Sequence, residues 1–186
     1  MKLNIRDISE ISLFVALMVI GAYIKIPNIF FPTVPITLQL FFCILGGLLL
    51  GAKKGLISQV VYIILGLVGL PVFSLGGGIG YVFYPSFGFI IGFAIAAFFV
   101  GLIRDKFLKE NKIGLKGVYL ASFTGFIIVY AIGIVYIYFI VKYVSAKEMG
   151  LMAIFVGMIP FMIKDVILTV INGIIVPPIL SARRNM

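Results

Sequence analysis

The chain has 186 residues, of which 63% are hydrophobic and 11% charged, and its formal net charge is +9. A soluble domain is about half apolar and a quarter charged, so this composition excludes a soluble globular protein and indicates an integral membrane protein. Each helical crossing of a bilayer takes ~20 residues, so six crossings fill the chain and leave no room for a catalytic or nucleotide-binding domain. We therefore predict one membrane domain over residues 1–186. Its lone Cys43 excludes a disulfide framework and a Cys/His metal cluster.

Six apolar runs predict the transmembrane helices of an all-α bundle, with approximate limits 8–26, 36–50, 56–68, 87–103, 117–141 and 151–182. The second and third runs are short for a perpendicular crossing, so we expect their loops to enter the membrane plane under protein cover. The stretch 69–80 is too rich in glycine for a helix and predicts a re-entrant or capping loop between helices three and four. The first run also resembles a signal peptide, but it is longer than a signal core and no cleavage pattern precedes Pro27, so we expect it to be retained.

The basic residues predict the orientation of the chain. The two termini, the turn at Lys53 and Lys54 and the loop at 104–116 together hold eleven of the fifteen Lys and Arg residues. Cytoplasmic loops carry the excess of Lys and Arg, so both termini are predicted to be cytoplasmic. The +9 charge is better explained by this orientation than by nucleic-acid binding.

Small residues recur at four-residue spacing on two predicted helices. Gly88, Gly92 and Ala96 on the fourth helix favour close packing within the bundle, because small side chains let helix backbones approach in lipid. The pair Ser12 and Ala16 on the first helix is compatible with the same role or with a docking face for another protein.

Lys164 and Asp165 form the one charged pair inside a predicted span. A charge at this depth costs at least ~2.5–3.5 kcal/mol, so it requires a partner or a function. Neighbours on a helix point about 100° apart, so we expect the two side chains not to face each other and to meet other groups. Asp165, Thr169 and Asn172 form a polar stripe, one turn beyond a kink expected at Pro160. This pattern favours a ligand or transport site; the alternative is a structural ion pair with another helix.

Aromatic residues follow the glycine run 76–80, which matches no phosphate-binding motif. Tyr81 and Tyr84 offer flat, partly polar walls for a small rigid organic ligand, and Gln39 is the remaining amide near that side. For Phe83 and Phe87 an aromatic belt at the membrane interface is an equal alternative. Without a His, a carboxylate pair on one span or a GxSxG motif, the sequence does not indicate an enzyme.

Five sequence elements occur together in this chain, namely Val34–Gln39, Gly46–Gly51, Gly66–Ser74, Gly88–Phe93 and Pro160–Phe161 with Asp165. In this order and spacing they resemble the BioY type, the biotin-specific S component of energy-coupling factor (ECF) transporters. The resemblance runs from the first helix to the last. It implies a six-helix S-component bundle in a prokaryotic cell membrane that captures biotin from outside.

The resemblance also implies partners and site roles. The S component docks onto a transmembrane T component with two cytoplasmic ATPases, which use ATP; this chain has no Walker motif and is expected to bind no cofactor. The predicted docking residues are Ser12 and Ala16. The predicted substrate-binding residues are Gln39, Phe73, Gly77, Tyr81, Tyr84, Lys164 and Asp165.

In this hypothesis Asp165 and a donor such as Gln39 or Tyr81 bind the ureido ring of biotin, and Lys164 binds its carboxylate. Phe73, Tyr81 and Tyr84 would wall the thiophane ring in a cavity between the glycine-rich loop and helices two, four and six.

The sequence departs from the family pattern at three places. The family usually reads Pro-Gly-Asp-x-x-Lys in the last helix, whereas Leu168 occupies the Lys position here and Lys164 lies on the same face one turn away. Phe89 replaces a common Tyr, and Ser12 stands where Ala is frequent.

Two rival functions remain at this point. One is an S component for another small vitamin on the same scaffold. The other is a gradient-driven secondary carrier with Asp165 as its proton or ion site. An intramembrane enzyme ranks below both.

Overall fold

The computed structural model describes residues 4–27, 34–109, 114–145 and 149–184. Within these ranges the chain forms six α-helices, two short strands, a 3-10 helix and a π-helical turn. The helices are α1 Ile5–Tyr23, α2 Gln39–Leu50, α3 Ala52–Leu67, α4 Phe87–Lys109, α5 Leu115–Phe139 and α6 Leu151–Arg184. The strands are β1 Lys25–Ile26 and β2 Ile36–Thr37, the 3-10 helix is Ile79–Phe83, and the π-helical turn is Ile140–Val144.

The helices follow the predicted order, but three of their boundaries differ from the prediction. These are the end of α1, the start of α2 and the start of α3, which is Ala52 rather than 56. α1 ends at Tyr23 rather than 26, and α2 begins at Gln39 rather than 36. Residues 25–26 and 36–37 instead pair as antiparallel strands, with Lys25 opposite Thr37. Pro35 precedes this second strand and cannot donate a helical hydrogen bond, and the β-branched Ile36 and Thr37 favour extended backbone.

Three helical stretches within the described residues are long and apolar enough to span a membrane. They are Phe87–Phe107, Leu115–Val144 and Leu151–Ala182. The shorter helices α1, α2 and α3 pack against one another, and α2 and α3 also pack against α4. One buried apolar cluster includes residues from all six helices.

Close packing of α4 against α5 confirms the structural role predicted for the small residues of the fourth helix. A Cβ atom added at Gly92 would lie 3.1 Å from the Cα atom of Val129, and one added at Gly88 would overlap the Cβ atom of Tyr136 at 2.2 Å. Ala96 is fully buried. The stripe therefore lets the two helix backbones approach, as expected for membrane helices.

The turn between α2 and α3 is held by a pair of charged residues from α4. Gly51 adopts a φ of 82°, which favours glycine. Asp105 Oδ2 accepts from the backbone N–H of Ala52 at 3.1 Å, and Arg104 Nε donates to the Leu48 carbonyl at 3.0 Å. These bonds satisfy backbone groups that helix ends leave unpaired.

α1 is tied to α3 at its amino-terminal end. Lys54 Nζ lies 3.0 Å from Asp7 Oδ1 and 2.8 Å from Glu10 Oε2. The hydrogen bond from the Lys54 ammonium holds the pKa of the Asp7 carboxyl below its usual value. Ser12 and Ala16 are exposed.

The loop after α3 folds tightly over the end of that helix. Phe73 and Gly76 exchange backbone hydrogen bonds of 2.9 and 3.1 Å, and Gly78 N–H donates to the Gly66 carbonyl at 2.7 Å. The Phe73 ring lies on Gly66, where any Cβ atom would overlap it. The buried Phe73 ring thus fixes the loop against α3.

Candidate functional site

A cavity opens at the end of the bundle that carries β1, β2 and the 3-10 helix, which we call the pocket end. Its volume is about 500 Å³, counted to the open mouth. Its walls come from the segment at 34–40, the loop at 74, the start of α4, the middle of α5 and α6. The lining residues are Val34, Pro35, Thr37, Gln39, Leu40, Ser74, Ser86, Phe89, Ile90, Phe93, Val129, Tyr130, Phe161, Lys164 and Asp165.

The polar centre of the cavity is built on α6. Lys164 Nζ lies 2.5 Å from Asp165 Oδ1 and also donates to the Thr37 carbonyl. Tyr130 on α5 donates its hydroxyl to Asp165 Oδ2 at 2.6 Å. The Asp165 side chain is only 6% exposed, whereas that of Lys164 is 26% exposed. Asp165 Oδ1 is buried in this ion pair but has no hydrogen-bond partner among the described residues, so it can accept from a ligand N–H group, while the partly exposed Lys164 side chain suits an anionic end.

The expectation that Lys164 and Asp165 do not face each other is wrong. Their Cβ directions diverge, but the long flexible Lys side chain reaches back to the neighbouring carboxylate. The structure therefore shows an ion pair within one helix, rather than one between helices. Both residues also meet other groups, Thr37 and Tyr130, as the prediction required.

Gln39 lines the cavity at the start of α2. Its Nε2 donates to the Tyr62 hydroxyl at 2.7 Å, and Thr37 Oγ1 lies 3.2 Å from its Oε1. Tyr62 in turn donates to the Val72 carbonyl at 3.0 Å. This chain of bonds fixes the amide and links the cavity wall to the loop after α3.

Tyr81 lies behind the cavity wall. Its hydroxyl lies 3.2 Å from Ser74 Oγ and accepts a hydrogen bond from Ser86 Oγ at 3.1 Å. Both serines line the cavity, so Tyr81 orients two of its hydroxyl groups.

The other predicted aromatic residues surround Tyr81 and are not part of the cavity lining. Phe73 is buried with its ring centroid 4.6 Å from that of Tyr81, and Tyr84 stacks on the outer side at 5.0 Å. Gly77 also lies outside the lining, and it packs against the backbone carbonyl of Leu70 in the same loop. Of the two residues considered for an interfacial belt, Phe83 is exposed and Phe87 is buried.

The polar stripe continues along α6 below the cavity. Thr169 Oγ1 donates to the Asp165 carbonyl at 2.7 Å. Asn172 is fully buried, and neither polar atom of its amide has a hydrogen-bond partner among the described residues. The described part of the chain also contains no group of three or more His, Cys, Asp or Glu residues that could hold a metal ion.

Comparison with known sequences decides the family. The sequence model of the BioY family matches residues 1–185. The chain belongs to the BioY family. A protein from Lysinibacillus sphaericus named as a probable biotin transporter BioY is 41% identical over 166 residues, which cover 89% of this chain and 82% of that protein. The biotin transporter BioY of Thermotoga maritima is 37% identical, over 91% of this chain and 93% of the relative.

The fold is shared with a solved structure. The crystal structure at 2.1 Å of the S component for biotin from an ECF-type ABC transporter matches with a TM-score of 0.83. The match covers 97% of this chain and 95% of that chain at 24% sequence identity, so it shows the fold. The resemblance found in the sequence is therefore confirmed, and the chain has an S-component fold. BioY relatives are transporters by name, which confirms the expectation that this chain is not an enzyme.

The cavity also contains residues that the sequence did not predict. Tyr130 lies in the middle of α5, away from the helix ends where interfacial Tyr is usual, and this position is a signal that points to it. Ser74 precedes the glycine run and Ser86 lies within the aromatic segment, but their orientation toward a cavity has no local signature. Thr37 contributes its backbone carbonyl, which a sequence motif does not reveal.

Proposed function

We propose that this chain captures biotin as the substrate-binding S component of an ATP-driven ECF transporter. The observation that carries the proposal is the Lys164, Asp165 and Tyr130 cluster in a cavity of a BioY-family chain. Relatives named as biotin transporters support biotin as the ligand.

The chemistry of the cluster supports this ligand. The ureido ring of biotin has two N–H donors, which Asp165 can accept, and a carbonyl that needs a donor. The valerate chain ends in a carboxylate that needs a cation, and Lys164 is partly exposed at the cavity. The Phe89, Phe93 and Phe161 side chains supply apolar wall for the fused rings. Phe73 and Tyr81 act from behind this wall, and Gln39 is a proposed contact within the lining. Tyr84 and Gly77 lie outside the lining and are proposed to meet the ligand only through the loop that carries them.

The test is calorimetry on the purified full chain with biotin and biotin amide. Asp165→Asn keeps the shape of the side chain but removes its charge, so biotin affinity should fall at least about tenfold. Lys164→Met should weaken biotin more than biotin amide, because only biotin carries the carboxylate. Lys142→Met, an exposed lysine at the pocket end, is the matched control. Wild-type affinity for biotin in Asp165→Asn would refute the assignment.

The membrane arrangement is part of the proposal. We infer a single domain over residues 1–186 with six crossings, a capping loop between α3 and α4, and both termini in the cytoplasm of a prokaryotic cell. The basic residues support this orientation, because the turn at Lys53 and Lys54 lies at the end of the bundle opposite the pocket end. The pocket end would then face the outside.

Energy for uptake would come from partner chains. We propose a transmembrane T component and two cytoplasmic ATPases as partners, supported by the S-component fold. The exposed small residues Ser12 and Ala16 on α1 are the proposed docking face.

A gradient-driven carrier with Asp165 as its proton site is the rival, favoured by the burial of that carboxylate. Uptake of labelled biotin that stops with an uncoupler while ATP is maintained would select the carrier. Uptake that continues would select the ATP-driven transporter. Calorimetry with other small vitamins separates biotin from another S-component ligand.

A further inference from the structure

Side chains from three elements hold the loop after α3 by its backbone carbonyls. Tyr62 on α3 donates to Val72 at 3.0 Å. Tyr23, the last residue of α1, donates its hydroxyl to Pro71 at 2.5 Å. Lys25 on β1 donates to Ser74 at 2.5 Å. The position of residues 71–74 therefore depends on groups outside the loop.

The three anchors differ in how firmly they are themselves held. Tyr62 is fully buried, and Gln39 donates to its hydroxyl, so this anchor is part of the core. Tyr23 is 57% exposed, and Lys25 is also exposed. Both exposed anchors belong to α1 and the strand that follows it, so any movement of the end of α1 is transmitted to the loop.

The anchored loop forms part of the cavity wall. Ser74, whose carbonyl is held by Lys25, lines the cavity and contacts the hydroxyl of Tyr81. The backbone of Lys25 pairs with Thr37, whose carbonyl accepts a hydrogen bond from Lys164. The end of α1 thus connects to two sides of the cavity.

We propose that Tyr23 and Lys25 are positioning residues that keep residues 71–74 closed over bound ligand, so that each of their hydrogen bonds slows ligand release. This inference rests on the proposed function, because the ligand whose release is measured is biotin.

The experiment measures association and dissociation of labelled biotin with the purified full chain in lipid nanodiscs. Tyr23→Phe removes only the hydroxyl, and Lys25→Met removes only the ammonium. Each should raise the dissociation rate about fivefold, the effect of one lost hydrogen bond, and leave the association rate unchanged. Tyr143→Phe and Lys142→Met, at exposed positions of the π-helical turn that follows α5, are the matched controls.

The rate constants distinguish positioning from a general structural role. A wild-type dissociation rate in the double variant Tyr23→Phe/Lys25→Met overturns the proposal. The proposal is also overturned if a variant has a smaller fraction of active protein but the active molecules keep the wild-type rate constants. If the wild-type chain does not bind biotin at all, the proposed function is wrong. That result is distinct from a variant that binds biotin and releases it at the wild-type rate, which would refute only the positioning role.

Discussion

At the scale of single residues, the site depends on a charged pair that the membrane penalises. Lys164 Nζ and Asp165 Oδ1 form an ion pair at 2.5 Å, and Tyr130 donates a hydrogen bond to Asp165 Oδ2 at 2.6 Å. Removing one partner of a buried polar cluster leaves the others without compensation, which costs more than the bond itself contributes. The cluster is therefore sensitive to each of its members.

Replacement of Tyr130 by Phe tests this dependence. The variant removes the hydroxyl that positions Asp165 Oδ2, so we expect biotin affinity to fall about tenfold with little change in apolar packing. Calorimetry measures the affinity. Tyr138→Phe serves as the control, because its hydroxyl contacts Lys142 near the end of the same helix. Equal affinities for Tyr130→Phe and wild type would show that this hydroxyl does not position the carboxylate.

At the scale of elements, glycine determines how closely α4 and α5 pack. Gly92 lies against the backbone of Val129, which cannot move without separating the helices. In lipid, such close backbone contact replaces much of the hydrophobic drive that packs soluble helices. The four-residue spacing of small residues is thus a packing signal on α4, while on α1 the same spacing lies on an exposed face.

Gly92→Val should destabilise the bundle by about 1–3 kcal/mol, because the new side chain overpacks the helix contact. The buried Cys43 thiol provides the measurement, since a thiol-reactive dye reacts with it only on unfolding. We expect a lower apparent melting temperature in detergent. Ala153→Val, at an exposed position of α6, is the control and should melt like wild type. If Gly92→Val has the same melting temperature as Ala153→Val, tight packing of α4 against α5 at Gly92 is contradicted.

The α1 face gives a second prediction at this scale. Ser12→Leu with Ala16→Leu should prevent co-purification of the T component and ATPases, because large side chains block close helix approach. Biotin affinity of the isolated chain should not change. Ala131→Leu, an exposed small residue on α5, should leave co-purification intact. Retained co-purification in the α1 double variant would place the docking face elsewhere.

At the scale of the whole molecule, the basic turn between α2 and α3 and the cavity lie at opposite ends of the bundle. Lys53, Lys54 and the Arg104–Asp105 pair lie at one end, while the cavity lies at the pocket end. This separation supports an outward-facing cavity if basic residues face the cytoplasm.

Cysteine labelling in intact cells measures this orientation. Lys142→Cys at the pocket end should react with a membrane-impermeant maleimide from outside. Lys53→Cys at the other end should react only after permeabilisation. Both positions are exposed, and the native Cys43 is buried and supplies the unlabelled background. The reverse pattern of labelling would invert the proposed topology.

The sequence alone determined the membrane class and the order and approximate limits of the helices, and it pointed to Asp165, which the structure places in the cavity. These features are local, because apolar runs and an isolated charge can be recognised within one helix. The BioY resemblance also followed from short motifs such as Val34–Gln39, and it is confirmed.

Only the tertiary structure decided how the site is assembled. Tyr130 meets Asp165 across 35 positions of sequence, and Lys164 meets the Thr37 carbonyl across 127. It also decided that residues 25–26 and 36–37 pair as strands and that Tyr23 and Lys25 hold the loop at Pro71 and Ser74. Such contacts depend on how helices pack and on which backbone carbonyls remain free, and neither is encoded in the spacing of neighbouring residues.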